Sequence, residues 1–140
     1  MIILQVGVKA FLKNKEGKYL LLHRSSEKYK GTKGSWDIVG GRIDPGSPLL
    51  ENLKREVTEE TQLRITSEPK LIYAQDIIIK EKGCHIVRLT YTALTDGEPI
   101  LDISENIEFR WLTIDELKKQ EDLDIYVKEI LEKDIINKHC

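Results

Sequence analysis

The sequence predicts an α+β fold in which a mixed central sheet is flanked by helices. Three observations carry this. Strand and helix signals alternate irregularly rather than as a regular βα repeat, at least two short turns join apolar runs as hairpins, and an amphipathic helix is written between residues 47 and 61. The chain has 140 residues, 40% hydrophobic and 33% charged, which suits one domain spanning 1–140 with a buried core rather than a disordered segment.

The elements follow in order. Residues 2–12 are mostly apolar and β-branched, broken by Gln5 and Lys9, and read as a strand. Residues 13–17 form a turn, and 18–23 are the return strand of a hairpin. Residues 25–35 are polar and basic, contain Gly31 and Gly34, and read as a mobile loop. The short apolar piece 36–39 runs into Gly40-Gly41. In the helix at 47–61, Ser47 is the expected N-cap and Pro48 the first helical residue, where a missing N–H costs nothing. Leu50, Leu53 and Val57 recur at helical spacing as its inward face. Residues 71–79 and 85–94 read as strands around the turn Glu81-Lys82-Gly83, and 108–112 as a further one. Thr113 and Glu116 make a capping box that starts a helix. The amphipathic segment 122–133 reads as core packing in preference to a partner surface.

Composition narrows the function. Twenty-two basic against 24 acidic residues give a net charge of −2, which argues against a nucleic-acid wrapper and permits a small phosphate ligand. No apolar run approaches the roughly 20 residues that span a bilayer, so no membrane partner is expected. The first residues lack a basic leader and a small-residue cleavage site, and Cys84 and Cys140 do not make a disulfide framework, so a reducing cytoplasmic setting is expected. His23, His85 and His139 do not have metal-ligand spacing, and no phosphate-cradling Gly-x-x-x-x-Gly-Lys motif occurs.

The chemistry-bearing stretch is 40–63. On a helix, Glu56, Glu59 and Glu60 fall within an arc of roughly 100°, beside the apolar face. Glu56 and Glu60 are like charges four residues apart, a mildly destabilising pair that a hard divalent cation would offset. Arg55 flanks the arc and is placed to brace one carboxylate. A lone E-x-x-E-E would read more simply as a solvated acidic face. Here Gly40-Gly41, the Pro45-Gly46 turn and Arg55-Glu56 give it context.

Residues 41–63 resemble the box of the Nudix hydrolase family (MutT-like): G, five residues, E, seven residues, R-E, an aliphatic, any residue, E-E, any residue, G, an aliphatic. Gly41, Arg55-Glu56-Val57, Glu59-Glu60 and Leu63 match it. Ser47 stands in place of the first glutamate, Gln62 in place of the late glycine, and Val39-Gly40-Gly41 in place of a frequent Pro-Gly-Gly. The resemblance implies an α/β/α sandwich and water attack on the pyrophosphate linkage of a nucleoside diphosphate linked to another group. It implies Mg²⁺, with Mn²⁺ as a substitute, held by Glu56, Glu59, Glu60 and the Gly40 carbonyl, with Glu105, or else Glu108, joining from a distal loop. Glu56, Glu59 and Arg55 are the candidate catalytic residues, and which glutamate takes the proton stays open. Arg24, Arg42, Trp36 and Gly41 are the candidate substrate contacts, with Lys28, Lys30 and Lys33 nearby in the loop. The implied partner is a small-molecule nucleotide; monomer and homodimer both stay open.

Each departure has a physical meaning. Ser47 cannot balance Arg55 with a charge, and Gln62 is expected to change the helix exit, where glycine turns the chain left-handed. These departures motivate the alternative, a nucleotide-binding or regulatory module with weak or no catalysis. No subgroup signature follows the box, and nucleoside triphosphates are the default substrate.

Overall fold

Strands that are apolar at every position must be covered on both faces. A computed structural model describes residues 1–26 and 34–138 and shows this cover. In β1 (Ile3–Lys13), Val8, Ala10 and Leu12 enter one core and Phe11 the other. In β2 (Tyr19–Arg24), Leu20 and Leu22 enter the first core, Tyr19 and Leu21 the second. The first core is closed by α1 (Leu49–Thr61) through Leu53 and Val57. The second is closed by α2 (Ile114–Lys118), α3 (Ile125–Glu132) and α4 (Ile135–Lys138) through Leu117, Val127, Ile130 and Ile136. The result is the expected α/β/α sandwich.

Among the described residues, eight strands make one mixed sheet. β1 runs parallel to β7 (Cys84–Asp96), with Ile3 opposite Cys84 and Lys13 opposite Leu94. β6 (Lys70–Ile79) lies antiparallel beyond β7, and β5 (Arg64–Ile65) pairs with its far end. On its other side β1 pairs antiparallel with β4 (Val39–Arg42), Gly7 opposite Arg42 and Ala10 opposite Val39. The β1–β2 hairpin splays after Lys13 and Tyr19, because β2 instead pairs β3 (Trp36–Asp37) and β8 (Asn106–Leu112). Thr113 and Glu116 form the expected capping box on α2. No helix is long and apolar enough to cross a membrane among the described residues.

The later end of the loop at 25–35 is tied to the residues that lead into α3. The Gly34 and Ser35 N–H groups donate to the Asp122 carboxylate, Trp36 N–H to the Asp122 carbonyl, and Asp124 N–H to the Trp36 carbonyl. The remainder of that loop reading, with Lys28, Lys30, Lys33 and Gly31, lies outside the described residues, as do His139 and Cys140.

Both ends of α1 differ from expectation. Its N-cap is Pro48, extended at ψ 148°, and not Ser47. Ser47 N–H closes a turn onto the Asp44 carbonyl, which places Ser47 one residue ahead of the N-cap. At the other end Gln62 makes the left-handed cap that glycine would make, with φ 58° and its N–H on the Thr58 carbonyl, so the expected change of exit does not occur. Two contacts hold the turn: Thr61 Oγ1 donates to the Val57 carbonyl and accepts from Leu63 N–H, and Leu63 is buried. The elements β3, β5 and α4 are too short to leave a periodic signal of their own.

A side chain held left-handed is strained by about 1 kcal/mol relative to glycine. Gln62→Gly is therefore expected to stabilise the fold by about 1 kcal/mol in urea denaturation. A loss of stability would show that the Gln62 side chain makes a contact worth more than the strain.

Candidate active site

Gly40 and Gly41 lie on β4, the strand on which the acidic side of α1 rests. The two glycines answer different needs. At Gly40, φ is 145° and a Cβ would sit 2.0 Å from the Val8 carbonyl oxygen, so the strand admits only glycine. At Gly41 a Cβ would come within 3.0 Å of the Glu56 carboxylate, so its absence makes room for that side chain.

The three helix acids take three environments. Glu60 turns inward: one oxygen accepts from Gly40 N–H at 3.1 Å and the other from Asn106 Nδ2 at 3.3 Å. Burial pushes its carboxyl up to about 7, against the opposing pull of Lys9 and these hydrogen bonds. Glu56 is half-buried and is also pushed up, chiefly by burial, with Arg55 opposing. Glu59 is exposed, and both its oxygens take Arg55 Nη1, at 3.1 and 3.3 Å. Arg55 Nη2 donates to Asp44 at 2.8 Å and to Asn52 Oδ1 at 2.9 Å, and stands 3.7 Å from Glu56.

Beside these acids opens a cleft of about 820 Å³. Its lining includes Gly40, Gly41, Arg42, Glu60 and Asn106. One wall is apolar, from Ile77, Ile79, Ile86, Ile125 and Tyr126. Its floor is ionic. Asp37 is buried and receives Lys9 Nζ at 2.9 Å, Arg88 Nη2 at 3.0 Å and the Arg24 guanidinium. Burial alone would raise its carboxyl, but Lys9, Arg88 and Arg24 together hold it far below the usual range. Arg88 Nη1 pairs at 3.1 Å with Asp124, whose carboxylate also caps α3 at the Tyr126 and Val127 N–H groups. Burial and the neighbouring Asp37 push the Asp124 carboxyl up.

The donors beside the cleft suit a hard divalent cation. They are all oxygen, and the glycine gap at Gly41 leaves the Glu56 carboxylate space beside the strand. No three such side chains converge closely enough to enclose an ion among the described residues, with Glu59 drawn to Arg55 and Glu60 to the strand.

The structure thus gathers Glu60, Gly40, Gly41 and Arg42 at the cleft, with Glu56 against Gly41 and Arg55 and Glu59 outside the lining. Arg24 lines the cleft but is engaged by Asp37. Trp36 is a correction: alternation along β3 sends Asp37 to the cleft and Trp36 into the opposite core, where it stacks flat on His23 at 4.5 Å under the Arg110 guanidinium. Glu105 is half-buried in the turn before β8, its carbonyl accepting from Ser25 N–H, and its neighbour Asn106 is the residue that reaches Glu60. Glu108 faces His23 across β2 and β8 at 3.4 Å. Sequence reasoning missed Asp37, Lys9, Arg88, Asp124, Asn106 and Asp44. A charge inside an apolar strand was a signal for Lys9, Asp37 and Arg88. Asn106 left none.

Comparison with protein families matches residues 3–133 to the NUDIX domain. A nucleoside triphosphatase NudI from Enterobacter sp. (strain 638) is 27% identical over 110 residues, covering 72% of this chain and 77% of its own length. The 8-oxo-dGDP phosphatase NUDT18 of Homo sapiens is 35% identical over 65 residues, 46% of this chain and 18% of that protein. The chain spans half or less of the length of the first curated relatives it matches. Among solved structures, a MutT NUDIX hydrolase from Burkholderia pseudomallei superposes with a TM-score of 0.78 at 25% identity, over 93% of this chain and 97% of that one.

Two stability measurements follow. The folded protein keeps the Glu60 proton up to pH about 7, whereas an unfolded carboxyl releases it near 4.5. The metal-free chain should therefore lose stability as pH rises from 4.5 to 7, by up to about 3 kcal/mol from this group, and Glu60→Gln should flatten that slope. An unchanged slope in urea melts would show that Glu60 ionises freely. Asp37→Asn should cost about 3–5 kcal/mol, because three cations lose their shared charge inside the fold. A cost under about 1 kcal/mol would show the cluster to be hydrated.

Proposed function

The chain belongs to the NUDIX family, and from that premise we propose that it hydrolyses the pyrophosphate linkage of nucleoside diphosphates linked to another group, nucleoside triphosphates first, with Mg²⁺ or, in its place, Mn²⁺. The observation that carries this reading is the setting of Glu56 and Glu60 against Gly41 and Gly40 beside a cleft with both cationic and apolar linings.

The chain's own residues divide the work. Glu56, Glu59 and Glu60, with the Gly40 carbonyl and Glu105 from the neighbouring turn, would supply the oxygen donors for the cation. When bound, the ion screens phosphate charge and polarises the bridging oxygens. A carboxylate of α1 accepts the proton of the attacking water. Arg42, exposed on the cleft lining, meets phosphate oxygens, and Gly41 beside it offers its backbone to the substrate. Arg24 contributes positive field while shared with Asp37. The apolar wall takes the base. Relatives named for 8-oxo-dGDP and for nucleoside triphosphates support free nucleotides, rather than nucleic acid or membranes, as the substrate class. The proposed setting is cytoplasmic.

The alternative of a non-catalytic binding module loses part of its motivation. Gln62 keeps the left-handed exit, and Arg55 has its carboxylate partner in spite of Ser47.

Product-resolved assays over triphosphates, nucleotide sugars, ADP-ribose and dinucleoside polyphosphates with Mg²⁺ should find turnover, and Glu56→Gln and Glu59→Gln should each lower kcat/KM by about 100-fold or more. Calorimetric binding without product, or turnover untouched in both variants, would overturn the hydrolase reading.

A further inference from the structure

Arg55 stands beside both Glu56 and Glu59, and it is fixed by one partner on α1 and one ahead of the helix. Its Nη2 is held from one side by Asp44 at 2.8 Å and by Asn52 Oδ1 at 2.9 Å, which leaves Nη1 for Glu59. Asp44 is itself fixed. Its N–H donates to the same Asn52 Oδ1 at 3.1 Å, and its carbonyl accepts from Ser47 N–H at 2.9 Å. Asn52 is fully buried, so the ring Asp44–Asn52–Arg55 is anchored in the first core. The turn closed by Ser47 N–H also brings residues 44 and 47 to within about 7 Å between Cα atoms. A carboxylate at 44 therefore reaches Arg55 from the same turn that holds position 47, where this chain has only a hydroxyl.

We propose that Asp44 is the positioning residue that holds Arg55, and through it Glu59 and Glu56, in the arrangement the cation site needs. This rests on the hydrolase reading above. Asp44 is not among the residues that line the cleft. It acts on how the acids are presented. The pair is exposed, so its weight in global stability is small.

The test compares the full-length protein with Asp44→Asn, Asp44→Glu, Ser47→Glu and the double variant Asp44→Asn/Ser47→Glu. The readouts are kcat and KM on deoxynucleoside triphosphates with Mg²⁺, Mn²⁺ affinity by electron paramagnetic resonance without nucleotide, and Tm. Asp44→Asn should lower kcat by about tenfold or more, with KM within about twofold and Tm within about 2 °C. Asp44→Glu and the double variant should regain most of the loss, and Ser47→Glu alone should stay within about twofold of the parent. A kcat for Asp44→Asn within twofold of the parent, or a loss that neither carboxylate restores, would overturn the proposal. If the parent turns over no nucleotide, the hydrolase reading falls, and Mn²⁺ decides Asp44. Binding about threefold or more weaker in Asp44→Asn and regained in Asp44→Glu supports its role, and unchanged binding overturns it.

Discussion

Asp37 is a carboxylate almost wholly buried in the sheet, and its charge survives only because cations from three other strands converge on it. Lys9 comes from β1, Arg24 from β2 and Arg88 from β7. A buried charge without partners would cost several kcal/mol, so these strands must sit where their side chains reach one point. Arg88 extends the constraint to Asp124, which caps α3. One charge thus sets the register between sheet and helical layer, and does so on the floor of the cleft.

The same cluster explains why the cleft is polar without being a bare cationic trap. Most of the positive charge on its floor is already matched by Asp37 and Asp124, while Arg42 stands exposed on the lining. The acids of α1 stand within electrostatic reach of Lys9 of this cluster. Helical spacing of about 100° per residue turns Glu60 inward, leaves Glu56 half-buried and sends Glu59 out to Arg55. Two glycines on β4 make this close approach feasible, one because the backbone demands it and one because the Glu56 carboxylate fills the space of a side chain.

Much of the architecture was legible because it follows from local chemistry. The long strands, the Thr113 capping box and the inward face of α1 depend on periodicity and capping, and the structure agrees within about two residues. Trp36 was misread because a two-residue strand has no period from which to tell its faces apart. Ser47 is the residue type that caps helices, but the turn onto Asp44 claims its backbone first. Gln62 takes a conformation that its side chain disfavours, since burial of Leu63 and the Thr61 hydrogen bonds outweigh a strain of about 1 kcal/mol.

By itself the sequence determined the layered fold and the acidic helix beside a pair of glycines, since strand alternation, helical spacing and glycine's freedom are properties of neighbours along the chain. Only the tertiary structure decided which charges neutralise one another. Lys9 and Arg88 are separated by 79 positions yet meet on Asp37, and Asp44 reaches Arg55 across a turn and two helical turns. Electrostatic pairing acts over a few ångströms of space, and no pattern of nearby residues encodes which distant strand will supply the partner.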